Sequence, residues 1–353
     1  MDKMDITLAL KKGTLVHHKE DIEYYRFKTG FRSINRGRVL TKNKTIDGFP
    51  HIPRIFAIEK GIERNFTEDT LYLEEKVDGF NLRVGIVENE IFAFSRGGFV
   101  DLFSTEKVGE MKLEKFFRDY PNYVLCGEMI GNTPYTRPTK KFDVKFLVFD
   151  IDNGKGDYLP VDEKYKVLDK FGIESIPRLG KFNKKEINKI KQVILRIDKS
   201  RKEGVVIKSA SRKEIVKYVV PTVGIEHIEE AMDAFFDMPP GFFMQRIFRS
   251  AVSIEEFDLD RKEYEKQLGR SFLELIDQIK QVKNDGYVYA EFEILIRDNR
   301  IFENIIKHMS KEIKIEKIFE KEEGQRKRIR FRKIYKETSK KILDAIRGKM
   351  QID

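Results

Sequence analysis

The stretch Leu71-Tyr72-Leu73-Glu74-Glu75-Lys76-Val77-Asp78-Gly79-Phe80-Asn81-Leu82-Arg83 decides how this chain is read. Leu71 to Lys76 predicts a strand, and Val77-Asp78-Gly79 is turn chemistry. Asn81 to Val87 and Ile91 to Ser95 then suit a hairpin. The pattern places a lysine at a strand end, at the head of a Lys-x-Asp-Gly tetrapeptide. At average composition, chance supplies such a tetrapeptide in about one chain of ten. Taken alone it is a lysine in a solvated turn.

It is not alone. Phe94-Ser95-Arg96-Gly97-Gly98, Cys126-Gly127-Glu128-Met129, Phe146-Leu147-Val148-Phe149-Asp150, Glu203-Gly204-Val205-Val206-Ile207-Lys208 and Ile215-Val216-Lys217-Tyr218 follow in order. In each, a polar residue ends or interrupts an apolar strand. Charge in such a place costs desolvation free energy unless it is paired or used. Its recurrence within one region of mixed strands and helices predicts convergence on a cleft.

The ordered set resembles the signatures of the covalent nucleotidyltransferases, which comprise DNA ligases, RNA ligases and mRNA capping enzymes. Glu75 to Arg83, Cys126 to Gly131 and Glu203 to Lys208 are most similar to the archaeal ATP-dependent RNA ligase family, whose members are homodimers. The resemblance covers residues 66 to 222. It implies an α+β fold: an ATP-grasp-like nucleotidyltransferase core of antiparallel sheets with helices, a small N-terminal β module and a C-terminal helical domain.

The chemistry implied is adenylyl transfer through Lys76. A lysine nucleophile must lose its proton, which desolvation or nearby cations promote. Lys208 and Lys217 are expected beside it, with Mg²⁺ or Mn²⁺ on the phosphates. Lys76 would attack the α-phosphate of ATP and release pyrophosphate. AMP would pass to an RNA 5′-phosphate, and a 3′-hydroxyl would displace it. Whether those ends belong to a nick, a tail or one strand to be circularised stays open. The resemblance makes Asp78 an orienting residue and Gly79 a turn residue. Glu75, Asn81 and Arg96 fall in the nucleotide site, and Glu128 accepts from ribose hydroxyls. Phe149 stacks on adenine. Glu203 holds the divalent metal, and Lys208 and Lys217 neutralise triphosphate charge. Each has a plainer role as well: turn aspartate, core aromatic or surface charge.

Composition agrees with a nucleic-acid partner. The 353 residues carry a formal charge of +10, which favours polyanions. Residues 301 to 353 hold 16 Lys and Arg against 9 Asp and Glu. Within them Gln325-Arg326-Lys327-Arg328-Ile329-Arg330-Phe331-Arg332-Lys333 alternates cations with apolar residues, which suits either RNA phosphates or plain solvation. The single cysteine, Cys126, lies in an apolar run and reads as a buried thiol, fitting a reducing, cytoplasmic setting. No run approaches a membrane span. Charged residues make up 36%, as in thermophile proteins with ion-pair networks.

Other chemistries find little support. The five histidines lack compact zinc spacing, and no Walker A loop is present. The chain divides into a β-rich module over 1 to 65, an adenylyltransferase core over 66 to 222, a helical dimerisation region over 223 to 300 and a basic helical region over 301 to 353. Helical periodicity over 223 to 236, 260 to 282 and 299 to 320 carries the last two. DNA ligases and capping enzymes usually place a β-barrel there. A non-catalytic nucleic-acid-binding protein of the same fold is the rival from another class.

Overall fold

The computed structural model describes residues 3–136, 142–239, 241–309 and 312–349. Helix α1 (Lys3–Lys11) leads into an antiparallel meander of β1 (Leu15–Lys19), β2 (Glu23–Phe27), β3 (Val39–Thr41) and β4 (Thr45–Ile46). Turn residues separate the strands, while Tyr24, Val39 and Ile46 pack onto the next sheet.

Helix α2 (Ile58–Asn65) precedes β5 (Thr70–Lys76), β6 (Phe80–Val87) and β7 (Glu90–Ser95). Then come α3 (Leu102–Gly109), α4 (Glu114–Asp119), β8 (Val124–Gly131), β9 (Val144–Asp152), α5 (Val161–Phe171), β10 (Arg178–Asn183), α6 (Ile187–Lys199), β11 (Gly204–Ser209) and β12 (Ile215–Val219). The strands form two antiparallel sheets, β10-β5-β11-β12 and β7-β6-β8-β9. Helix α6 carries Ile190, Val193, Ile194 and Ile197 on one face and buries them, with Ile58 and Ile62 of α2, under the first sheet. Each such side chain contributes roughly 1.5–3 kcal/mol. The second sheet rests on Phe103, Val108, Phe116 and Phe117 of α3 and α4.

Beyond β12 come α7 (Pro221–Glu230), a 3₁₀ turn (Ala231–Ala234), α8 (Phe242–Glu256), α9 (Arg261–Leu273), α10 (Leu275–Asp285), β13 (Val288–Ile296), α11 (Asn299–His308), β14 (Ile313–Glu323), β15 (Arg326–Tyr335) and α12 (Lys336–Ile346). The structure departs from two expectations. The C-terminal part is not wholly helical, because β13, β15 and β14 make a three-stranded antiparallel sheet. Ile313-Lys314-Ile315 and Ile329-Arg330-Phe331 alternate with period two, and that alternation overrides the helical spacing read over 299 to 320. The division at residue 300 also fails, since β13 pairs along its length with β15. The sheet's Phe292, Ile294, Ile329 and Phe331 share one apolar core with Leu82, Leu125 and Val148.

Arg83 on β6 is fully buried. Its guanidinium donates to the carbonyls of Gly37 (2.9 Å), Asp47 (2.6 Å) and Ser95 (2.6 Å), joining the N-terminal meander to the core. Among the described residues no helix is long and apolar enough to cross a membrane.

Candidate active site

A cleft opens between the two central sheets. β5 and β11 run antiparallel with Lys76 opposite Gly204, so Glu203 arrives beside Lys76. The Lys76 ammonium donates to Oε2 of Glu203. A side chain at Gly204 would collide with the Tyr218 carbonyl, so glycine lets β11 close on β12. β12 in turn carries Lys217 into the cleft.

The second sheet faces this edge. Asn81 lies opposite Glu128 in the β6–β8 register, and Oδ1 of Asn81 is buried with no hydrogen-bond partner. Gly79 serves close approach: a Cβ there would lie 2.6 Å from the Met129 carbonyl oxygen. The role expected from sequence was turn freedom; the structure supplies a different reason for the same glycine. Phe149 meets Phe49 edge-on, with centroids 5.0 Å apart. Ile52, Ile176, Val206 and Ile215 complete an apolar slot of the kind that accepts a flat ring. Arg96 is exposed at the rim. Glu75 lines the cleft and sits 3.4 Å from Lys202.

Burial pushes the Glu128 carboxyl up to about 8, against the pull of Lys76 and aided by Glu203 and Asp78. Burial also brings the Lys217 ammonium down to about 8, with Arg54, Lys76 and Arg96 adding repulsion.

Lys208 departs from the expected role. Its side chain is buried, and its ammonium contacts Glu74 (2.6 Å), Asp150 (2.9 Å) and the Phe149 carbonyl (2.7 Å). Lys164 reaches the same carbonyl (2.8 Å) and Glu74, while Arg212 pairs with Asp150 (2.6 Å). Lys208 is thus committed to the cleft floor rather than held out for phosphates. Local sequence cannot show this, because Glu74, Asp150 and Lys164 come from three separate elements.

Asp78, Glu203 and His227 bring ligand atoms within 4.8 Å of one another and could hold a divalent ion. His227 comes from α7 and was invisible to a search for histidine spacing. The sequence reading also missed Phe49, Ile52, Glu74 and Asp150. The Asp47-Gly48-Phe49-Pro50 segment was the one signal available for the first of these.

Residues 69–219 match the family model described as RNA ligase, and residues 230–349 match the one described as Ligase Pab1020 C-terminal region. An uncharacterized protein of Methanocaldococcus jannaschii is 30% identical over 93% of this chain and 89% of its own length. A solved structure from Aquifex aeolicus, provisionally named an ATP-dependent DNA ligase, superposes with a TM-score of 0.94 at 28% identity, covering 99% of this chain and all of that one. A structure named as an archaeal ATP-dependent RNA ligase gives 0.90 at 26% identity, covering 99% and 97%. With a full-length relative, both family models in tandem and whole-chain superposition, the chain belongs to the archaeal ATP-dependent RNA ligase family.

Proposed function

We propose that this protein seals RNA strands through a lysyl–AMP intermediate on Lys76. The observation that carries the reading is the position of Lys76: its amine ends a strand at the junction of the apolar slot and a group of cations. In the first step its nitrogen attacks the α-phosphorus of ATP. A P–N bond forms, the α–β P–O bond breaks and pyrophosphate leaves. Glu203, paired with Lys76 in the free protein, is placed to take the amine's proton. AMP then moves to an RNA 5′-phosphate, giving a 5′–5′ pyrophosphate linkage, and a 3′-hydroxyl displaces it to form the phosphodiester.

The adenine would enter the slot beside Phe149. The ribose would lie near Asn81, whose free Oδ1 accepts a hydroxyl, and near Glu128. Lys217 and Arg96 would hold the phosphates. Asp78, Glu203 and His227 would hold Mg²⁺ or Mn²⁺, which when bound neutralises phosphate charge. The family supports RNA as the substrate, while the Aquifex relative's name keeps DNA as a second reading. We also propose a homodimer through the helices that follow β12.

The test is incubation with α-labelled ATP and Mg²⁺, followed by denaturing electrophoresis. A labelled band is expected for the wild type and none for Lys76→Ala. Absence of the wild-type band, or its survival in the variant, sinks the proposal. A chase of the adduct with 5′-phosphorylated RNA and DNA separates the two substrates.

A further inference from the structure

Helix α8 packs against α7, the helix that carries His227 of the candidate metal group. Arg246, Arg249, Ser253 and Glu256 recur three or four residues apart and so share a face. The downstream end of that face is anchored. The Tyr218 hydroxyl meets Ser253 Oγ at 2.6 Å, one residue beyond Lys217, and the Ile58 amide donates to Glu256 at 2.7 Å. Phe248 packs edge-on against Phe56, with centroids 5.9 Å apart. The upstream end, Arg246 and Arg249, is thereby carried toward Arg54, Glu203 and Asp78.

Arg249 is 5% exposed, yet its Nη2 is buried with no hydrogen-bond partner, and so is Nε of Arg246. Arg54 repels both guanidiniums. The carboxylate facing all three, Glu203, is already paired with Lys76. A buried guanidinium nitrogen without a partner is costly, so its retention calls for an anion that arrives with a ligand. The guanidinium fork matches a phosphate through two parallel hydrogen bonds.

We infer that Arg249, with Arg246 and Arg54, forms a phosphate subsite on the Glu203 side of Lys76, supplied in part by the C-terminal region. It rests on the reading of Lys76 as the nucleophile. The occupant is a phosphate group from one of two sources: the pyrophosphate leaving ATP, or the 5′-phosphate of the strand to be joined.

Binding to Lys76→Ala protein tests this without any covalent step, so its failure is distinct from absence of the AMP adduct. Inorganic pyrophosphate is titrated calorimetrically. 5′-phosphorylated and 5′-hydroxyl RNA oligonucleotides are compared by anisotropy, with AMP as the control. Adding Arg249→Met is expected to weaken pyrophosphate at least tenfold, or to erase the preference for the 5′-phosphate; whichever falls names the source. Arg249→Lys, which keeps the charge, is expected to retain most of the binding. Both probes unchanged in Arg249→Met, or equal losses in the Met and Lys variants, would overturn the inference.

Discussion

At the scale of single residues, two lysines of the cleft have opposite energetics. Lys208 compensates Glu74 and Asp150 in a dry setting, so removing it strands carboxylates. Lys208→Met is expected to cost about 3–5 kcal/mol, seen as a lower denaturation midpoint. Lys217→Met removes a cation that already suffers repulsion and is expected to leave the midpoint unchanged or higher. Lys217 also titrates where it can be watched. Its folded value, about 8, lies below the ordinary 10.5. In ligand-free protein this contribution to stability therefore rises as pH rises from about 8 to about 10.5. Nucleotide phosphates favour the charged form, so ATP binding at pH 8 should take up protons and at pH 6 should not. Calorimetry in buffers of different ionisation enthalpy measures this, and Lys217→Arg should remove most of the uptake. Lys76, Asn81, Glu128, Glu203 and Lys217 were legible as candidates because each is a polar residue that ends or interrupts an apolar strand within a short motif. Arg246, Arg249 and His227 were not. They lie on helices whose local pattern says only which face is apolar, and the groups around them come from elements distant in the sequence.

At the scale of elements, β15 changes the reading of the basic tail. Arg328 and Arg330 pair with Glu293 on β13, and Arg332 with Glu291. Arg328 also meets Glu323 on β14. These exposed ladders are worth little individually, and their charge is largely answered within the sheet. Between the arginines, Ile329 and Phe331 point inward and are fully buried. Phe331→Ala is expected to destabilise by about 3–5 kcal/mol, whereas Arg330→Ala should stay within about 0.5 kcal/mol. Parallel urea melts compare them, and similar midpoints for the two would refute the assignment. The central strands were foreseeable from apolar runs bounded by turns. β14 and β15 were harder, because dense Lys, Arg and Glu mask a two-residue alternation with so few apolar residues.

At the scale of the molecule, the helices after β12 leave large apolar side chains in water. Met244 is 70% exposed, Phe248 60%, Leu273 63% and Ile276 46%. Such groups on successive helices favour burial against a second copy. Light scattering on an eluting column should give about twice the chain mass of 41.7 kDa. Leu273→Glu with Ile276→Glu should shift it toward one chain, and a monomeric wild type would exclude the dimer. The segment that follows the N-terminal meander supplies Phe49 and Ile52 to the cleft, and the meander itself is tied in by Arg83.

The apolar core shared by the second central sheet and the C-terminal sheet has a temporal side. Val148 and Phe331 belong to that core although about 180 residues separate them. At roughly 5–20 residues per second, a ribosome needs on the order of ten seconds or more to cover that distance. For that interval the sheet's inner face waits uncovered on the nascent chain, as a target for chaperones and for aggregation. The yield of this protein in a foreign host should therefore depend on translation rate and temperature.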